Sequence, residues 1–267
     1  DVDPAASQRV VSEHPTAVVA ATPAEVAAQS DVVITMLPDG EAVRAAVFGA
    51  DGLMTALRPG SLVLDTSSSQ PWLTNSTGAA LAAISVDMVD AAVSGAQWGA
   101  QAAELVFMIG GQPDSVERVR PILDVLGRAM FHVGPLGSGH VMKSINNAIT
   151  AMTLLATAEG LALGARYRLD AAAMNAVLNE STGMSWVTQN HIGQRVVSRT
   201  FDDPFRLALM VKDIGIASTL ARNDDVSMPL ISRGEQLYQE AADSADPGAS
   251  LSEVARWVEQ RMGTEIR

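Results

Sequence analysis

The sequence predicts a two-part chain: an α/β domain on a mainly parallel sheet, then an all-α domain, joined by one long helix. Two observations carry this. Short apolar, β-rich runs alternate with helical segments as far as Gly139, the pattern of strands covered by crossover helices. Beyond Gly139 the strand-like runs stop, and alanine-, leucine- and methionine-rich stretches follow one another to the end.

Asp31 to Leu37 is an apolar strand closed by Pro38-Asp39-Gly40, and Ser61 to Asp65 is another, entered through Arg58-Pro59-Gly60. Val86 to Asp90, Leu105 to Ile109 and Ala129 to Val133 continue the series. Runs this continuous suit a sheet buried on both faces. Helices are predicted at Ala42 to Leu57, Trp72 to Ala83 and Ser115 to Leu126. After the sheet come helices at His140 to Tyr167, Ala171 to Leu178, Ser185 to Val197, Phe205 to Arg222, Leu230 to Ala242 and Ser252 to Met262. Their limits are Asp170 as an N-cap, Gly183 as a breaker, Pro229 near a helix start, and Ser250 with Glu253 as a capping box. The expected domains are residues 1–138 and 139–267, with the first long helix leading from one into the other.

Composition narrows the function. The chain has 267 residues, 48% hydrophobic and 18% charged, with a net charge of -12, which suits a globular protein whose surface repels nucleic acid. A small anionic substrate remains compatible if cations are gathered locally. No uninterrupted apolar run approaches the roughly 20 residues of a membrane helix, and the start lacks a basic segment followed by an apolar one. Neither membrane insertion nor secretion is expected. The absence of cysteine excludes disulfides and thiolate chemistry and fits a cytoplasmic setting. The four histidines have no ligand spacing to one another, so no metal site is expected.

The chemistry concentrates in Gly134-Pro-Leu-Gly137-Ser-Gly139-His-Val-Met-Lys143-Ser-Ile-Asn146-Asn147. This is not a Walker loop, because His140 rather than lysine follows the last glycine, nor a dinucleotide fingerprint, whose third glycine is Met142 here. On a helix, Lys143, Asn146 and Asn147 share one face, while Val141, Met142, Ile145 and Ile149 are expected to turn toward packing neighbours. A lone lysine early in a helix is usually solvated surface. The glycines before this one and the paired asparagines after it point instead to a site.

Four further segments line up with it. They are Asp90 to Ala100 with Gly110-Gly111, Val211-Lys212-Asp213-Ile214, Leu37-Pro38, and Asp65-Thr-Ser-Ser68-Ser-Gln-Pro71. Together with the glycine–lysine segment, they resemble the β-hydroxyacid dehydrogenase family, which includes 3-hydroxyisobutyrate dehydrogenases and tartronate semialdehyde reductases. The resemblance covers nearly the whole chain. It implies a Rossmann-type domain followed by a helical substrate and dimerisation domain, and hydride transfer between NAD(P) and a small 3-hydroxy acid or its semialdehyde. It further implies that Lys143 is the acid/base, that Ser94 and the N–H groups around Gly95 hold the substrate carboxylate, and that Lys212 lies near the nicotinamide. Asn147 either orients the lysine or binds the substrate oxygen. Leu37, Pro38 and Ser68 stand on loops that touch the cofactor, and a homodimer or dimer of dimers is expected.

The departures from the family pattern also carry expectations. The usual opening strand, G-x-G-x-x-G turn and helix are not in the sequence, so the Rossmann-type domain reads as N-terminally incomplete by roughly thirty residues, the size of a βα unit. The lack of an initiating methionine fits a sequence that starts inside the protein. Asp1 then takes the place of the acid at the end of the second strand that binds the adenosine ribose, favouring NAD over NADP. Ala96 replaces the second glycine of Ser-Gly-Gly, and Glu104 stands where threonine is common. Trp186 lines the substrate pocket or belongs to the core. The competing reading is a catalytically silent relative that serves binding or assembly.

Overall fold

A computed structural model describes residues 1–267. The chain divides into two compact units, residues 1–93 with 106–140, and residues 94–105 with 141–267. The short segment 94–105 thus groups with the second unit, although in sequence it lies between two strands of the sheet.

The first unit holds a five-stranded sheet in the order β1 (Val32–Thr35), β2 (Leu62–Asp65), β3 (Asp87–Ser94), β4 (Leu105–Gly110) and β5 (Gly127–Gly134). β1 with β2 and β2 with β3 are parallel, with Thr35 opposite Asp65 and Asp65 opposite Asp90. All four residues of β2 are buried, as its unbroken apolar run requires in a sheet covered on both faces. The helices of this unit are α1 (Pro4–Glu13), α2 (Pro23–Ala28), α3 (Gly40–Phe48), α4 (Pro71–Ala82) and α6 (Pro113–Leu126), whereas α5 (Ala96–Gln101) belongs to the second unit. Four of them begin with proline, whose missing N–H costs nothing in a first turn. Val33, Val43, Val47, Leu53, Val63 and Leu81 form one of its hydrophobic clusters.

Two expectations are corrected here. The helix predicted from Ala42 to Leu57 ends at Phe48, and a short 3-10 turn, Leu53–Thr55, follows. Gly49 and Gly52 are the cause: a Cβ at either would stand 2.7 Å from Ala45 O or 2.5 Å from Val47 O. Asp1 does not end a strand. Asp3 caps α1 through the Ala5 N–H, and Pro4 opens that helix, so the local sequence favours helix initiation where no neighbouring strand is paired. Asp1 itself is exposed, its carboxylate accepting from the Asp3 N–H.

The helical part contains α7 (Ser138–Arg166), α8 (Ala171–Asn179), α9 (Leu207–Asn223), α10 (Pro229–Ser244) and α11 (Glu253–Met262). Leu154, Leu161, Ile192, Leu207, Ile214 and Val258 are among the residues of its core, and Tyr238 donates to Ala151 O at 2.9 Å from full burial. Asp170 caps α8 through the Ala173 N–H, as its position predicts. Residues Thr188–Val197, expected as an α-helix, wind as a π-helix. The capping box of Ser250 and Glu253 does not form. Ser250 instead donates to Phe201 O at 2.6 Å, and Ser252 occupies the N-cap position without a side-chain bond. At 29 residues and mean hydropathy 1.4, α7 is long and apolar enough to cross a membrane, but half of that window is buried inside the protein, as in a core helix.

Candidate active site

The glycine-rich turn is shaped by close packing. Asp90, fully buried on β3, accepts from the Gly137 N–H at 2.7 Å and the His140 N–H at 2.9 Å, so it satisfies two donors at the start of α7 from outside the helix. A Cβ on Gly139 would stand 2.2 Å from Met108 O and 2.8 Å from Asp90 Oδ2; one on Gly110 would stand 2.4 Å from Asp90 Oδ1. Gly137 has φ +91°, a conformation that L side chains rarely adopt. The turn therefore needs glycine to seat the first turn of α7 against β3 and β4.

Further along α7, Lys143 and Asn147 are 9% and 6% exposed, while Ile145 and Ile149 are 41% and 57% exposed. The expectation that these isoleucines turn toward packing neighbours is reversed. The polar face goes inward because it finds partners there. Asn147 Nδ2 donates to Asp213 Oδ2 at 2.6 Å, and Asn146 Nδ2 donates to Asn147 Oδ1 at 3.0 Å. Asp213, 2% exposed on α9, places its other oxygen 3.1 Å from Lys212 Nζ. Burial pushes the Lys143 amine down from the ordinary lysine value; the Asp213 carboxylate opposes this and the Lys212 ammonium adds to it.

Ser94 and Gly95 sit at the end of β3, both half-buried, with Gly95 at φ +136°. A Cβ there would meet Leu105 Cδ2 at 3.1 Å. The structure brings Ser94, Gly95, Lys143, Asn147 and Lys212 into the second unit. Leu37, Pro38, Ser68 and Asp1 belong to the first. There the loops after β1 and β2 are tied side by side: the Leu37 N–H donates to Ser67 Oγ at 2.9 Å and the Gly40 N–H to Gln70 Oε1 at 3.0 Å. The C-terminal ends of parallel strands are where open α/β sheets bind ligands. Met36 and Pro38 are exposed at that end of β1, and Ser68 is half-buried. Trp186 is 53% exposed, so it is not a core residue of this chain.

Asp213 is the residue that the sequence reading under-weights, since it enters only as the neighbour of Lys212. One compositional signal could have found the group. Of 18 basic side chains, only Lys143 and Lys212 are lysines, and the rest are arginines. Both lysines act on the same buried carboxylate.

Comparison with known proteins now bears on this arrangement. Residues 1–134 match the model described as the NAD binding domain of 6-phosphogluconate dehydrogenase, and residues 137–258 match that of the NAD-binding region of NADP-dependent 3-hydroxyisobutyrate dehydrogenase. An NAD-dependent L-serine dehydrogenase of Pseudomonas aeruginosa is 36% identical over 79% of this chain and 72% of its own length. The chain belongs to the β-hydroxyacid dehydrogenase family. A 3-hydroxyisobutyrate dehydrogenase of P. aeruginosa is 33% identical over 85% of this chain and 79% of its own. A solved structure of the Mycobacterium tuberculosis 3-hydroxyisobutyrate dehydrogenase with L-serine superposes with a TM-score of 0.87 at 29% identity, covering 96% of this chain and 88% of that one. The fold is thus that of the family, a Rossmann-type domain followed by a helical one. Because the nucleotide-binding match starts at residue 1, the expectation of a missing first unit gains no support from it.

Proposed function

We propose that this protein is an NAD-dependent dehydrogenase of small 3-hydroxy acids, interconverting them with the corresponding semialdehydes, with Lys143 as the general acid/base. The single observation that carries the proposal is the burial of Lys143 beside the Asn147–Asp213–Lys212 cluster; the burial lowers the amine's proton affinity, and more than Asp213 raises it. A base useful near neutral pH needs such lowering, because an ordinary lysine stays an ammonium there. L-Serine and 3-hydroxyisobutyrate, named for the relatives, are both 3-hydroxy acids and are the first substrates to test.

The division of labour follows the two units. Residues 1–138 bind the nucleotide, with Leu37, Pro38 and Ser68 at the C-terminal ends of β1 and β2; the exposed apolar Met36 and Pro38 next to polar Ser68 fit a ring with a polar edge. Asp1 is exposed and free of strand structure, so its proposed contact with an adenosine ribose rests on family likeness alone. NAD, when bound, supplies the hydride acceptor. The second unit, residues 94–105 with 141–267, holds the substrate. Ser94 and the backbone at Gly95 offer donors to its carboxylate, and fixing that end fixes the reacting carbon. Lys143 takes the hydroxyl proton during oxidation and returns it during reduction, and Asn147 orients it. Lys212 adds positive charge that keeps the Lys143 amine poised to lose its proton. The setting is cytoplasmic, in keeping with a chain that carries no cysteine.

The test is NADH formation with a panel of 3-hydroxy acids, with nicotinamide fluorescence as the binding readout. Lys143→Ala is expected to leave NAD affinity within about twofold and to cut turnover by about 100- to 10,000-fold. Unchanged turnover would remove Lys143 from the mechanism. Failure of the wild-type protein to bind either nicotinamide nucleotide would replace the enzyme by the catalytically silent reading.

A further inference from the structure

Asp65 and Asp90 are direct partners across β2 and β3, so their side chains share one face of the sheet, and both are fully buried. Like charges placed opposite each other in a sheet destabilise it. His140, also without exposure, stands between them. Its Nε2 lies 3.7 Å from Asp65 Oδ2 and its Nδ1 3.7 Å from Asp90 Oδ2. Thr74 Oγ1 forms a hydrogen bond with Nδ1 at 2.8 Å and also lies 3.2 Å from Gln70 O, so the ring is held from its Nδ1 side. Nε2 has no hydrogen-bond partner and faces the Asp65 carboxylate.

The remaining contacts give the two carboxylates different duties. Asp65 accepts from Thr35 Oγ1, Ser67 N–H and Ser69 Oγ, which closes the ends of β1 and β2. Asp90 accepts the two N–H groups at the root of α7. To hold both, Asp90 must remain an acceptor on both oxygens, because a protonated carboxyl would turn one of them into a donor. Burial drives the Asp90 carboxyl up from its ordinary value; the positive charge of His140 and the N–H groups of Gly137 and His140 work against that rise.

We propose that His140 is a positioning residue for the reaction: by bridging the Asp65–Asp90 pair it keeps Asp90 fastened to the first turn of α7, one turn before Lys143 on the same helix. No motif requires a histidine here, and the proposed proton transfer does not use it. The inference rests on Lys143 being the acid/base. Displacing a helix root by about 1 Å is enough to cost a reaction of this kind about 100-fold in rate.

The experiment uses the full chain in complex with NAD. Because the chain contains only two lysines, side-chain ¹⁵N-lysine NMR follows the Lys143 amine directly, apart from any assay of turnover. His140→Gln keeps a polar side chain beside Thr74 but removes the ring between the two carboxylates; Thr74→Val keeps the ring and removes the partner of Nδ1. In His140→Gln the Lys143 titration is expected to move by about half a pH unit or more. Its kcat is expected to fall about tenfold or more, with the KM for NAD changed less than about twofold. Thr74→Val is expected to move both in the same direction by about threefold in kcat. Should His140→Gln fail to fold, Thr74→Val decides on its own. A Lys143 titration and kcat at wild-type values in the variant that folds would overturn the positioning role and leave His140 as core filling. A displaced Lys143 titration in a protein whose wild-type form turns over no 3-hydroxy acid would instead overturn the enzyme reading and keep the anchor.

Discussion

Asp213 is 2% exposed and is shared by Asn147 and Lys212, while its charge raises the proton affinity of Lys143 against the lowering by burial. Removing that charge while keeping the shape therefore has a signed consequence. In Asp213→Asn the opposing contribution is lost, so the Lys143 amine is left as a neutral base at lower pH than in the wild type. Oxidation needs the neutral amine and reduction needs the ammonium. The pH at which kcat/KM for oxidation rises is expected to move down by about half a unit or more, and the fall of the reduction rate with it. An upward movement, or none, would show that Asp213 does not act on Lys143. The same change weakens a buried charged hydrogen bond and is expected to cost about 1–3 kcal/mol of stability by denaturant titration. At this scale the lysine and asparagines were legible from their spacing. The carboxylate they meet was not, because it lies 66 residues away from Asn147 and no local pattern points to it.

The long helix α7 shows what glycine does in two different places. Gly139 is pressed against Met108 O and Asp90, where an added methyl has nowhere to go, whereas a Cβ at Gly160 would meet nothing within 4 Å. Gly139→Ala is expected to destabilise the protein by about 3 kcal/mol, since backbone and a buried carboxylate must shift together. Gly160→Ala is expected to stabilise it by about 0.5–1 kcal/mol, because alanine loses less freedom in a helix interior. Thermal or denaturant unfolding of the two variants reads both signs, and equal effects would contradict the packing account of the glycine turn. Elements of this kind were largely visible in the sequence: the strands follow its apolar runs, and α7 begins within two residues of the expected His140. The failures have local causes. Gly49 and Gly52 truncate α3, and α1 and α2 start at the cap-and-proline pairs Asp3-Pro4 and Thr22-Pro23, local signals that no apolar periodicity accompanies. The turn from α to π over Thr188–Val197 follows no residue pattern in the chain that we can name.

For the whole molecule, the two-part organisation was legible because periodicity changes near Gly139, but the transfer of residues 94–105 to the helical unit was not, since it depends on contacts remote in sequence. Association is a property of the same scale. Alongside α7 and α8 runs an open groove of about 820 Å³, lined by Met152, Ala156, Gly160, Met174, Val177 and Leu178 among others. Its wall is left in water at Leu169, 54% exposed, and Val177, 64% exposed, and Leu163 of α7 is 52% exposed as well. A mainly apolar groove of this kind is unusual on a monomer and marks an interaction surface. A second copy of this chain is the occupant we favour, because with a net charge of -12 two copies repel except where a mainly apolar face, with Asp170 as its one carboxylate, lets them meet. Light scattering of the wild-type protein is then expected to give a dimer or a dimer of dimers. Val177→Asp puts a carboxylate on the groove wall at a position already exposed in the single chain, so folding is preserved while the face becomes costly to bury. The variant is expected to weaken association by about 100-fold or more, with an unchanged circular dichroism spectrum. A wild-type monomer, or a Val177→Asp protein that associates as tightly as the parent, would separate the groove from assembly.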